Sequence, residues 1–168
     1  MSNFQLLMNV MRDLYQAHTE MLEIAKNKKQ ILIEGNIEEL SRIMNVESQW
    51  VKRVGKLEDE RIAAVEQLLK EKGIVLQEVT MNDLVKMMTS PQEKEQLQQI
   101  RLKLTEVIQE IQKLNDLNSL LIQQSLDYIS NSIETVMGEP KNSYTYGNPI
   151  SVKPQTVGSR RGFFDQKA

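Results

Sequence analysis

Catalysis in a protein chain usually rests on histidine, cysteine or clustered carboxylates, and this 168-residue sequence offers one histidine and no cysteine. Disulfides, thiolate zinc sites and thiol nucleophiles are therefore excluded. His18 could serve as a base or metal ligand only with partners at matching spacing, and Glu20, two residues on, falls on another face of a helix. It reads as a histidine in or beside a packing seam. Glu58, Asp59 and Glu60 could be imagined as a cation site, but consecutive helical residues diverge around the axis, so they read as a solvated face. No glycine-rich phosphate loop, nucleophile elbow or carboxylate-histidine ligand motif is present. The expectation is a protein that is not an enzyme and has no metal, catalytic residue or cofactor.

The remaining chemistry is that of surfaces. In Leu114–Ile129, LNDLNSLLIQQSLDYI, Asn115 and Asn118 sit beside an apolar stripe of Leu114, Leu117, Leu121, Ile122 and Ile129. A polar residue on a helical seam fixes register at a cost in stability, either within the chain or against an incoming helix. Spacing alone slightly favours a register role within the chain, and the alternative is a partner-binding surface made of the stripe with Ser125, Tyr128 and Ile133.

Long helices must carry this stretch. Apolar residues at Phe4, Leu7, Met11, Leu14, Met21, Ala25 and Leu32 predict a helix over about 3–33, with His18 and Lys28 interrupting the seam. Gly35 supplies a left-handed stop, and Asn36 with Glu39 predicts a capping box opening a second helix over about 37–72. The short turn makes the two antiparallel. Ile37, Leu40, Met44, Val51, Val54, Leu57, Val65 and Leu68 mark the expected buried side of the second helix, where Gly55 signals a bend or close approach and Trp50 packs. Thr80 predicts a short helix over about 81–88 that covers the end of the bundle. Its Met81, Met87 and Met88 suit either a core or an adaptable surface, whereas Met8, Met11 and Met21 suit the core. Ser90, Pro91 and Glu93 then start the longest helix, over about 91–136. It outruns the first by roughly 20 Å, so part of its apolar face has no partner there.

The fold class is thus all-α: an elongated antiparallel bundle of three long helices in one domain, 1–137, with a short connecting helix. Residues 138–168 hold three of the four prolines and four of the seven glycines, and read as a flexible, disordered tail. Tyr144, Tyr146, Phe163 and Phe164 make it too aromatic for a passive linker, and these four are candidates for added partner contacts. From Gly138 onward five bases stand against two acids, a net charge of +3, so the body carries −5 of the overall −2. An acidic body argues against nucleic acid. Asn9, Arg12 and Asp13 break any signal-peptide run and no segment reaches the roughly 20 apolar residues of a membrane span, so a cytoplasmic location is expected.

These residues resemble the FlgN family of flagellar export chaperones. The likeness rests on length, on GNIEEL (35–40) followed by LEDER (57–61), on LNDLNSLL (114–121), and on a tail with TYG (145–147) ending in FFDQKA (163–168). It runs through essentially the whole chain, and LNDLNSLL, of the form LNxxNxLL, is its most specific element. The resemblance implies a cytoplasmic protein that binds the hook-filament junction proteins through their terminal helices before export by the flagellar type III apparatus, itself a further possible partner. It also places substrate contacts toward the C-terminal part, here Leu114 to Ile133 and the tail. Together with the overshoot of the longest helix, this shifts the assignment of the stripe to partner capture, in which Asn115 and Asn118 align the incoming helix and Leu121, Ile122 and Ile129 supply most of the binding energy. The alternative is a self-assembling coiled-coil structural or adaptor protein in which the same stripe pairs with a second copy.

Overall fold

The structure, a computed structural model, describes residues 1–75 and 78–138; the expected tail and its four aromatic residues lie outside them. The described residues form four helices and no strand: α1 (Asn3–Glu34), α2 (Ile37–Glu71), α3 (Met81–Met87) and α4 (Pro91–Met137). The all-α bundle expected from the periodicity is the observed architecture.

Each helix start is set by a local side chain. Ser2 and Gln5 form a reciprocal capping box on α1, and Thr80 with Asp83 does the same on α3. The Thr80 hydroxyl and amide both donate to the Asp83 carboxylate, which holds this carboxyl below its ordinary range. Asn36 and Ser90 accept from the Glu39 and Glu93 amides, but the glutamates do not complete the expected boxes. The Glu39 carboxylate instead accepts from Arg42 at 2.8 Å. Gly35 takes the left-handed conformation, φ 70°, which a side chain would strain, and lets α2 fold back along α1.

α1 is the spine. Asn3 donates to Glu71 at 2.7 Å and Lys28 pairs with Glu47 at 2.9 Å, so α2 runs antiparallel to it. The Asn118 amide reaches the Ala25 carbonyl, while Leu97, Ile100 and Leu104 join the cluster around Phe4, Leu7 and Met11. α4 therefore runs parallel to α1, on another side from α2, and α2 and α4 make no close backbone approach to each other. The main core gathers at the N-terminal end of α1, from Leu57, Ala64, Val65, Leu68 and Leu69 of α2, Leu84 and Val85 of α3, Met88, and the start of α4. α3 seals this end, with Met81 and Met87 packed at its margin.

Two expectations for α2 need correction. Leu57, Val65 and Leu68 are buried and Leu40 and Val54 half-buried, but Ile37, Met44 and Val51 are exposed, Ile37 to 76%. With α1 as its one long neighbour, the first half of α2 cannot bury the whole of a broad apolar stripe. Gly55 marks neither a bend nor a close approach: α2 continues through it, and a Cβ there would meet nothing within 4 Å. Trp50 is half-buried against the core, with the Arg53 guanidinium 5.1 Å from its ring centroid.

Candidate partner-binding face

The seam of α4 begins as core and ends as surface. Leu97, Ile100, Leu104, Val107 and Ile111 are buried. The last two meet Leu22 in a second, smaller cluster, with Leu114 half-buried beside them. Asn118 follows at 1% exposure. Its Nδ2 donates to the Ala25 carbonyl at 3.0 Å, linking residues 93 apart in sequence, while its Oδ1 is buried without a hydrogen-bond partner. In this structure Asn118 thus departs from the role expected of it. Its amide pins α4 to α1 and faces no incoming helix. Asn115 is half-buried.

The face continues beyond that pin. Stepping by four and three from Asn118 reaches Ile122, Ser125, Ile129, Ser132 and Val136, all on the side that faces α1 upstream. The 93-residue offset between Asn118 and Ala25 puts Glu34, the last residue of α1, level with Asp127. Residues 128–137 therefore extend about 15 Å past the spine. The transition shows in burial: Leu121 and Ile122 are half-buried, and Ile129, Ile133 and Tyr128 are exposed, Tyr128 to 74%. Tyr128, Ile129, Ser132, Ile133, Val136 and Met137 line a shallow apolar depression at the end of the helix.

The hydroxyls on this face are less polar in effect than the sequence suggests. Ser125 donates to Leu121 O at 2.9 Å, Ser132 to Tyr128 O at 2.8 Å and Thr135 to Asn131 O at 2.8 Å. Their donors are spent on the helix's own carbonyls, so a partner can pack against the apolar side chains around them without stranding an O–H.

Of the residues assigned from sequence, Leu121, Ile122, Ser125, Tyr128, Ile129 and Ile133 lie along this stretch of α4. Leu117 is at the margin of exposure, and Leu114 and Asn118 belong to the packing with α1. Val136 and Met137, exposed to 86% and 80% and not among the assigned contact residues, extend the rows of Ile129 and Ile133 at spacings of seven and four. That spacing was available as a signal. Leu120 and Leu126 are also exposed, and Leu120 lies on the far side of the helix from Asn118.

The other residues weighed for chemistry make local contacts. His18 Nδ1 lies 2.8 Å from the Leu14 carbonyl one turn back, where the protonated nitrogen donates. Glu58 accepts from Arg61 at 2.8 Å. Among the described residues no group of three histidine or acidic side chains is placed to hold a metal, and no helix is long and apolar enough to cross a membrane.

The described residues thus form a helical hairpin with a third long helix that overshoots its spine. The family model described as FlgN protein matches residues 1–153. The chain belongs to the FlgN family, which comprises flagellar export chaperones, not enzymes, that bind flagellar substrate proteins. It is similar to "Uncharacterized protein YvyG" of Bacillus subtilis (strain 168), at 28% identity over 152 residues, 90% of each chain. No solved structure matches it.

Proposed function

We propose that this chaperone acts in the cytoplasm on hook-filament junction proteins, holding their terminal helices against the apolar face of α4 from Leu117 to Met137 until they are exported. The observation that carries the reading is the continuation of the α4 seam past the end of α1, which leaves Ile129, Ile133 and Val136 without a neighbour helix among the described residues. An amphipathic helix laid on this face would complete the packing that α1 supplies upstream, the helix-in-groove mode. At about 25 cal/mol per Å² of apolar area, three or four leucine-sized anchors provide several kcal/mol before association costs are subtracted. Such binding is firm enough to prevent premature assembly and weak enough to be undone at the export apparatus, a further partner in this reading.

The test is copurification of the full chain with a junction protein. Ile129→Ser with Ile133→Ser is expected to weaken association at least tenfold while circular dichroism stays unchanged. Wild-type binding by the folded double variant would overturn the assignment. Light scattering on the isolated chain separates this reading from self-assembly, for which a dimer lost on the same substitutions is the signature.

A further inference from the structure

We infer that the free chaperone covers its own binding face with the segment directly following α4, residues 142–153, laid back along the helix in extended form and displaced by the incoming substrate helix. The inference rests on the reading above of what the face is for.

Three observations point to this occupant. The first is where the described helix ends. The apolar rows continue to Val136 and Met137, in the last turn of α4. Gly138 then leaves the helix at φ 71°, and Pro140 has no backbone N–H with which to continue its hydrogen-bond ladder. The next residues of the chain therefore start beside the uncovered surface, at high effective concentration.

The second is pattern and length. In NSYTYGNPISVK, residues 142–153, the apolar side chains Tyr144, Tyr146, Ile150 and Val152 all occupy even positions, while Thr145, Gly147, Pro149, Ser151 and Lys153 occupy the odd ones. In an extended chain even positions share one side, so the four form a single apolar edge. From Tyr144 to Val152 that edge measures about 26 Å at 3.3 Å per residue. The face from Leu121 to Val136 measures about 22 Å at 1.5 Å per residue. Edge and face match in length, and the residues between Gly138 and Tyr144 can span the reversal.

The third is charge. The last turn of α4 has no cation to offset the negative end of the helix dipole. The first base of the chain after Lys113 is Lys141, three residues past the C-cap and directly before the segment proposed.

The absence of native cysteine allows a direct test on the full chain. Ser132→Cys places one thiol among the residues of the exposed depression, and its rate of modification by a soluble disulfide reagent reports cover. Combining it with Tyr144→Ser, Tyr146→Ser, Ile150→Ser and Val152→Ser is expected to raise that rate three- to tenfold at every protein concentration. A synthetic peptide of a junction protein's terminal helix should bind the tail variant three- to tenfold more tightly than the native tail. An equal thiol rate with and without the four substitutions overturns the fold-back. So does a rate that falls with protein concentration and ignores the tail, which assigns the cover to a second copy. If the peptide protects the thiol in neither chain, the substrate reading fails, while the comparison of the two tails still decides the fold-back.

Discussion

The two halves of α4 are built from similar residues at the same spacing and meet opposite fates. Leu97, Ile100, Leu104, Val107 and Ile111 are core, whereas Ile129, Ile133 and Val136 face outward. Composition does not separate them; neighbours do. The first half lies against α1 within a core that α2 and α3 also enter, while the second half outlasts α1 by about ten residues. An apolar side chain stabilises the monomer only where another element removes it from water. Elsewhere the same side chain is available for binding.

The contrast predicts a clean separation of effects. Leu97→Ala removes a fully buried side chain and should cost about 2–5 kcal/mol in denaturant titration. Ile133→Ala, an exposed site, should move stability by less than about 0.5 kcal/mol and lower substrate affinity instead. Comparable losses of stability at the two positions would break the comparison. The boundary between the halves can be probed at Asn118, whose Oδ1 is buried without a partner. Since Ala25 O retains its helical amide, Asn118→Leu removes an unsatisfied acceptor and adds apolar area, so unfolding should require about 1 kcal/mol more. The same variant should lose register specificity, seen as a second set of α1–α4 contacts by nuclear magnetic resonance. The smallest effect is expected away from both regions, where Gly55→Ala, with open space for its Cβ, should raise stability by about 0.5–1 kcal/mol. A loss there would restore the close approach that the geometry denies.

Much of the fold was legible in local chemistry. Gly35, Thr80 and the Ser90-Pro91 pair announce helix ends through backbone geometry and capping, which need no tertiary partner. The relative lengths of α1 and α4 follow from where those signals fall. The exposed end of α4 was legible for the same reason, as far as Ile133; Val136 and Met137 repeat its spacing and belong with it. The burial of Asn118 was not legible, since a seam asparagine looks the same whether its partner is Ala25 of its own chain or a helix of another. Nor was the exposure of Ile37, Met44 and Val51. Periodicity reports that a face is apolar and is silent on whether one neighbour or two will cover it.

Sequence alone therefore determined which segments are helices, where they stop, and that one of them overshoots the other, because capping, periodicity and rise per residue are properties of the local chain. Tertiary structure alone decided which stretches of each apolar face are occupied. That depends on α4 running parallel to α1, pinned by Asn118 to Ala25, and on α2 and α4 lying apart on the spine. No local rule specifies such pairings, because burial is a relation between two surfaces.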